Sequence, residues 1–189
     1  SIALPAVTKV SQIDSVNRFA SRYLEGPVIS FGGIHPQASN YKDILHDIKS
    51  MGLKGIKLHP DYQDTYFDDI RYERIIDRAS ELGLITVVHA GADPKCPDDV
   101  HCTPQMARKV IDEVRPENLV LAHMGGLVMW DEVEKYLVGQ DVYFDTGVVL
   151  DRMPQEQFIR MVRSHGADRI LFGTDSPWAD QKNFVTILN

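Results

Sequence analysis

Seven short apolar runs alternate with six segments of helical periodicity along the sequence, and this alternation limits the folds open to the chain. The apolar runs begin near residues 2, 28, 55, 85, 119, 142 and 170. The helical segments are predicted at 11–24, 41–51, 69–82, 103–115, 130–138 and 154–165. Apolar strands that alternate with helices are typical of a parallel sheet buried on both faces. The sequence therefore predicts an α/β fold.

Two architectures fit this alternation: an open doubly wound sheet, and a (β/α)₈ TIM barrel of about 250 residues. No Gly-x-Gly-x-x-Gly turn follows any of the predicted strands, which disfavours a dinucleotide-binding sheet. Polar residues capable of chemistry follow several different strands, as in barrels. We therefore predict a barrel, for which the sequence supplies seven of eight strands, and treat residues 1–189 as one partial TIM-barrel domain.

Composition narrows the class of protein. Of the 189 residues, 43% are hydrophobic and 25% charged, as in an ordinary globular domain. The net charge of −7 disfavours nucleic acid as a partner. No apolar run approaches the roughly 20 residues of a membrane span. The first residues lack the pattern of a signal peptide. The two cysteines lie in one polar loop. The simplest expectation is a cytoplasmic protein.

Three of the predicted strands end on residues suited to metal binding. His89, His123 and Asp175 each follow an apolar run, and the carboxyl ends of adjacent parallel strands meet at one edge. Imidazole and carboxylate are ligands of catalytic zinc sites. A residue of the three that does not bind metal could act as a general base. A single such histidine is more often a half-buried core residue, but the coincidence of three favours a site.

Two further residues near the same edge are candidates for substrate binding. Lys57 alternates with Leu58 and shares a face with His59, so a barrel would direct Lys57 inward. An inward lysine could bind a substrate carboxylate, or could pair structurally with Asp145. His35 and His59 each precede a proline at this edge, and both are weaker candidates than the three residues above.

The loop after His89 contains Cys96, His101 and Cys102, which suggest a metal site at first sight. The spacing of the cysteines is not that of a zinc finger. We therefore expect this loop to contact substrate instead. We expect Trp178 to pack against the final helix rather than line the mouth of the site.

Four motifs together resemble the amidohydrolase superfamily, in its amidohydrolase-2 branch. They are Gly55-Ile56-Lys57-Leu58-His59-Pro60, Val88-His89-Ala90-Gly91, Ala122-His123-Met124-Gly125-Gly126 and Leu171-Phe172-Gly173-Thr174-Asp175-Ser176-Pro177. That branch holds metal-dependent hydrolases and relatives of aminocarboxymuconate-semialdehyde decarboxylase. The motifs occur in the family's order and extend through essentially the whole chain.

The resemblance implies a distorted (β/α)₈ barrel with one divalent metal ion, often zinc, at the carboxyl ends of its strands. Manganese or iron would suit the same ligands. By analogy, His89 would bind the metal and His123 would be the catalytic histidine. Asp175 would bind the metal and transfer a proton. The resemblance also implies that two barrels could pair as a homodimer.

The sequence departs from the family pattern at both ends. The family carries a His-x-His pair on its first strand, and no His-x-His occurs here. By the family's order the chain opens on the second strand, and it stops soon after Asp175. We therefore expect that the first strand and a C-terminal segment are missing from this chain.

These observations predict a metal-dependent hydrolase that cleaves an amide, ester or lactone in a small, carboxylated molecule through metal-activated water. The alternative chemistry is the non-oxidative decarboxylation of an aromatic or unsaturated acid at the same site. A third hypothesis is a non-catalytic barrel remnant or binding domain. It predicts that His123→Ala and Asp175→Ala leave stability and ligand binding unchanged, and that no turnover is found.

Overall fold

The computed structural model describes residues 1–188, which form eight short strands and seven α-helices. The strands are β1 Ile2–Ala3, β2 Ile29–Ser30, β3 Gly32–Gly33, β4 Gly55–Leu58, β5 Ile85–Val88, β6 Leu119–Leu121, β7 Tyr143–Asp145 and β8 Ile170–Leu171. The helices are α1 Ile13–Ala20, α2 Tyr41–Ser50, α3 Ile70–Glu81, α4 Pro104–Val114, α5 Trp130–Tyr136, α6 Gln155–His165 and α7 Gln181–Leu188.

All strand pairs are parallel and follow chain order. Strands β3 to β8 form a six-stranded sheet in sequence order, and β1 pairs with β2. Only Phe31 separates β2 from β3, and its N–H donates to the carbonyl of Ala3 at 3.0 Å. Residues 29–33 thus act as one strand between β1 and β4, which gives seven strand positions, as the apolar runs predicted.

The strand order is that of a (β/α)₈ barrel opened between β1 and β8, because no strand pairing joins these two within residues 1–188. Burial is complete in the middle of the sheet, where every residue of β4 and of β6 is buried. The helices add apolar faces, such as Tyr72, Ile75 and Ile76 of α3. The central strands are therefore packed on both faces, by a large cluster that includes the helices and by a smaller one of Phe31, Val87 and Val120.

The helices agree with prediction except near the two ends of the chain. The first helix is shorter than the predicted 11–24, because Val10–Gln12 forms a separate 3₁₀ turn. The side chain of Gln12 stabilises that turn by accepting the N–H groups of Thr8 and Lys9 at 3.0 and 3.1 Å. Helix α7 was not predicted. Asp180 precedes it and accepts the N–H of Asn183 at 2.7 Å, as an N-cap does.

Within residues 1–188, none of the helices combines the length and apolar character that a membrane crossing requires.

Candidate metal centre

Three neighbouring strands end next to buried histidines. His59 follows β4, His89 follows β5 and His123 follows β6, and their exposed fractions are 8%, 5% and 4%. The rings of His59 and His89 are stacked, with centroids 4.2 Å apart and 5° between the planes. The ring of His123 meets that of His89 edge-on at 4.8 Å. Parallel strands in sequence order thus bring together residues that lie up to 64 positions apart.

Hydrogen bonds determine which ring nitrogens carry protons. His123 Nδ1 lies 2.9 Å from the carbonyl of Gly147, which can only accept, so this nitrogen donates. In a neutral ring His123 Nε2 is then an acceptor. It lies 3.0 Å from His89 Nδ1, which must donate. The remaining nitrogen, His89 Nε2, is therefore left with a free lone pair.

His89 Nε2 faces carboxylates rather than hydrogen-bond donors. It lies 3.9 Å from Asp93 Oδ2 and 3.8 Å from Asp61 Oδ2. It is buried and has no hydrogen-bond partner among the described residues. A buried lone pair beside carboxylate oxygens is unfavourable without a positive charge between them. These donors therefore fit a divalent cation.

One group of side chains in residues 1–188 has the spacing of a metal site. Ligand atoms of His59, His89 and Asp93 all lie within 4.8 Å of one another. His59 Nε2 is 3.7 Å from Asp93 Oδ2. However, the lone pairs of two parallel stacked rings run parallel rather than converge. His59 would therefore need to rotate before it could share an ion with His89.

Burial keeps the imidazoles of His59 and His89 neutral. It lowers the pKa of His59 to about 3, with a further contribution from the charge of Lys57. Burial also lowers the pKa of His89, and the nearby rings of His123 and His59 act in the same direction. Neutral imidazole is the form that binds metals, so both rings are in the binding form near neutral pH.

Lys57 lies at the same edge, in β4, and is the one buried lysine or arginine in residues 1–188. Burial lowers the pKa of its amine, while Asp145 and Asp175 oppose that shift. The structural alternative, a direct ion pair with Asp145, is not formed within 4.0 Å in the described residues. Asp145 Oδ1 instead accepts the N–H groups of His123 and Gly147 at 3.0 and 2.9 Å.

Asp175 is exposed, unlike the histidines. It follows β8 and approaches His123, since a Cβ on Gly147 would lie 3.2 Å from Asp175 Cβ and 3.4 Å from His123 Nδ1. Within residues 1–188 it is not part of the three-residue metal group. The prediction that Trp178 packs against a helix is wrong. Its exposed fraction is 71%, and it lies in a turn in which its backbone N–H donates to the carbonyl of Asp175 at 2.9 Å.

The acids beside His89 were missed by sequence reasoning. Asp93 lies four residues after His89, and Asp61 follows the His59-Pro60 pair, so proximity along the chain was the available signal. Both acids lie in loops, where spacing alone does not determine side-chain direction.

The other residues singled out in the sequence have separate roles. Cys102 is fully buried in the core and Cys96 is half-buried, and both are free thiols. His101 lies beside Asp61, with its Nδ1 3.4 Å from Asp61 Oδ1. His35 is buried, and its Nδ1 accepts the N–H of Gln37 at 3.2 Å in a local turn. His35 is thus a structural residue of its loop.

Solved structures with the same fold come from several bacteria. A 2,6-dihydroxybenzoate decarboxylase from Rhizobium has a TM-score of 0.70 and 17% identity, over 95% of this chain and 71% of that one. A 5-carboxyvanillate decarboxylase from Novosphingobium aromaticivorans, in complex with manganese and a nitrobenzoic acid, has a TM-score of 0.74 and 14% identity, over 95% and 64%. An uncharacterised TIM-barrel protein from Bordetella bronchiseptica has a TM-score of 0.68 and 19% identity, over 93% and 63%.

The similarity to these structures establishes the TIM-barrel fold. This chain spans about two thirds of the length of those proteins. No curated protein matches the sequence. The family model described as amidohydrolase, of the amidohydrolase-2 type, matches residues 14–187. This chain therefore belongs to the amidohydrolase family, in its amidohydrolase-2 branch.

Proposed function

We propose that this protein is a metal-dependent decarboxylase of a small aromatic carboxylic acid. The observation that carries the proposal is the free, buried lone pair of His89 Nε2 beside Asp93, one strand away from the buried amine of Lys57. The first combination fits a divalent cation, and the second offers a positive charge to a carboxylate. Two of the structural neighbours are decarboxylases of substituted benzoic acids, which favours this chemistry over hydrolysis.

The metal ion would be held by His89 and Asp93, with His59 close by. Zinc and manganese both suit imidazole and carboxylate ligands, and one of the structural neighbours contains manganese. A bound divalent cation would withdraw electrons from a substrate oxygen and neutralise negative charge on the substrate.

Aromatic side chains next to the ion-binding residues suit an aromatic substrate. Tyr62 stacks on His59, with centroids 3.7 Å apart and 8° between planes. The amine of Lys95, in the loop after β5, lies 4.8 Å above the ring of Tyr62. Because Tyr62 and His89 cover the two faces of His59, an aromatic anion would meet ring edges here, together with the positive charges of Lys57 and Lys95.

Decarboxylation requires a proton donor and a fixed substrate. Asp175 at the exposed edge would supply a proton to the ring carbon that bears the carboxylate. The carbon–carbon bond then breaks, its electron pair remains with the ring, and carbon dioxide leaves. Lys57 would orient the departing carboxylate, and His59 would contact the substrate ring. Both ring nitrogens of His123 are hydrogen-bonded, to the carbonyl of Gly147 and to His89, so His123 would act by orienting His89.

Hydrolysis of an amide, ester or lactone is the second candidate, since the same residues could bind and deprotonate water. The two reactions differ in where solvent atoms appear. In D₂O, a decarboxylase places deuterium on the ring carbon that lost the carboxylate. In ¹⁸O-labelled water, a hydrolase places ¹⁸O in the product.

The test uses the purified protein loaded with Mn²⁺ or Zn²⁺ and a panel of hydroxybenzoic acids that includes 2,6-dihydroxybenzoate and 5-carboxyvanillate. We expect release of carbon dioxide and one deuterium in the product, and loss of both on Lys57→Met. Lys54→Met, a substitution in the residue before β4, is the matched control and should retain activity. Incorporation of ¹⁸O from an ester or lactone, without release of carbon dioxide, would overturn decarboxylation in favour of hydrolysis.

A further inference from the structure

Asp61 is a buried acid with one unsatisfied oxygen. It lies in the 3₁₀ turn Asp61–Gln63 after β4, and its side chain has an exposed fraction of 0%. Its Oδ1 accepts the N–H of His101 at 3.1 Å. Its Oδ2 is buried and has no hydrogen-bond partner among the described residues. A carboxylate oxygen is rarely left in this state without a ligand.

The unsatisfied oxygen of Asp61 faces the unsatisfied nitrogen of His89. The distance between Asp61 Oδ2 and His89 Nε2 is 3.8 Å. Because His89 Nδ1 donates to His123, His89 Nε2 is an acceptor, and each oxygen of an ionised Asp61 carboxylate is an acceptor too. Two ligands of one ion, each about 2.1 Å from it, can be up to roughly 4.2 Å apart. The gap between the two acceptors therefore has the width of a shared cation.

We propose that Asp61 is a ligand of the ion that His89 binds, and that His101 positions it. The proposal rests on the metal site of the proposed function, and it is independent of the reaction. His89 Nε2 lies almost equally far from the two acids, at 3.8 and 3.9 Å. Asp61 thus supplies a buried charge, whereas Asp175 is exposed and the ring of His59 is not directed at the same point.

His101 is held rigidly enough to position Asp61. Its backbone N–H donates to Asp61, and its ring Nδ1 lies 3.4 Å from the same carboxylate oxygen. Its carbonyl accepts the N–H of Phe67 at 2.7 Å, and its ring stacks on Tyr66 at 4.6 Å. Residues of the loop after β5 thereby occupy Oδ1 of Asp61 and leave Oδ2 directed at His89.

The first test is the affinity for Mn²⁺ alone, measured by calorimetry after removal of metal with a chelator. Asp61→Asn keeps the shape and an acceptor for the His101 N–H, but removes the charge. We expect the Kd of this variant to rise about 100-fold or more, since loss of a partner outside the ligand shell already costs 10- to 100-fold. Asp64→Asn is the matched control, because its side chain lies in the same segment but is 98% exposed. Its Kd should equal that of the wild type.

Thermal unfolding separates a ligand from a merely structural residue. Without metal, Asp61→Asn should unfold at the wild-type temperature or above it, because it removes an uncompensated buried charge. With saturating Mn²⁺, the wild type should gain more in melting temperature than the variant, since binding to the folded state stabilises it. A structural role would lower the melting temperature equally with and without Mn²⁺, and that result would overturn the proposal.

The role of His101 is tested by His101→Phe, which keeps the backbone N–H and an aromatic ring against Tyr66. We expect its Kd for Mn²⁺ to rise about 10-fold, between the wild type and Asp61→Asn. An unchanged Kd would overturn the positioning role of the ring.

The outcomes for the ion and for the reaction are distinguishable. If the wild type binds Mn²⁺ and Asp61→Asn binds it equally well, the assignment of Asp61 is wrong while the site of His89 stands. If the wild type binds no Mn²⁺, both the assignment and the proposed function fail. If the wild type binds Mn²⁺ tightly and Asp61→Asn binds it weakly, the assignment of Asp61 stands. If the wild type then decarboxylates none of the acids, the proposed reaction fails.

Discussion

The middle of the main sheet and its β8 edge hold their polar residues in different ways. Beside β4, β5 and β6 the histidines are buried and contact one another, and the strands beneath them are buried at nearly every position. At β8, Leu171 is 42% exposed, Phe172 is 54% exposed, and Asp175 is open to solvent. Ligand geometry is maintained by packed surroundings. The central strands are therefore suited to holding an ion, and the β8 edge to exchanging protons and substrate with solvent.

The largest expected effect contrasts two leucines in these regions. Leu121 in β6 is 0% exposed, and Leu121→Ala should reduce the free energy of unfolding by about 2–5 kcal/mol, because it leaves a cavity in the core. Leu171→Ala in β8 should cost less than half as much, since a large part of that side chain already contacts water. Urea unfolding of both variants measures the difference. Equal losses would show that β8 is as tightly packed as β6.

Metal binding provides the second contrast. His89→Ala should raise the Kd for Mn²⁺ at least about 100-fold, or 2.7 kcal/mol, because it removes the free lone pair at the centre of the site. Asp175→Ala should raise it less than about 10-fold, because an exposed carboxylate is screened by water. Calorimetric titration of both variants gives the comparison. Equal losses would make Asp175 a metal ligand as well, as the family resemblance implies.

The fold was largely predictable because its signals are local. Apolar runs bounded by glycine and proline mark the strands, and each helix between them has one apolar face. Sequence order then brings the strand ends together, so the positions of His89 and His123 followed from the pattern. The direction and burial of loop side chains did not, because they depend on tertiary contacts between loops.

Asp61 and Asp93 show what a local pattern leaves out. Asp61 is oriented by the backbone N–H of His101, forty residues along the chain. Asp93 is oriented by its own turn, in which its Oδ1 accepts the N–H of Lys95 at 2.8 Å. The prediction that Trp178 packs against a helix failed for a related reason. The residues near Trp178 in the sequence do not indicate whether other elements cover the β8 edge.

His165, at the end of α6, is expected to make a smaller contribution to the free energy of unfolding, and this contribution depends on pH. Its Nδ1 accepts the N–H of Gly139 at 3.1 Å, its Nε2 donates to the carbonyl of Val142 at 3.0 Å, and its ring stacks on Phe144. Burial lowers the pKa of His165 below its usual 6.5. Since the unfolded chain then binds protons more readily, the contribution of His165 is complete above about pH 6.5 and is lost as pH falls below it.

The measurement is the free energy of unfolding between pH 8 and pH 5 for the wild type and for His165→Phe, which keeps the stack on Phe144 but cannot titrate. The wild type should lose stability more steeply below about pH 6.5 than the variant does. The slope is the relevant quantity, because the variant also lacks both hydrogen bonds of the ring. Parallel slopes would show that protonation of His165 does not contribute.

The smallest expected effect is at Trp178, which tests the exposed edge directly. Trp178→Ala should change the free energy of unfolding by no more than about 0.5 kcal/mol, since the side chain is 71% exposed. Trp130→Ala is the matched control. That tryptophan is 8% exposed and donates its indole N–H to the carbonyl of His123 at 3.1 Å, so its loss should cost about 3–5 kcal/mol. If Trp178→Ala cost more than about 1 kcal/mol, the β8 edge would be covered in solution, and Asp175 would belong to a buried site like that of the histidines.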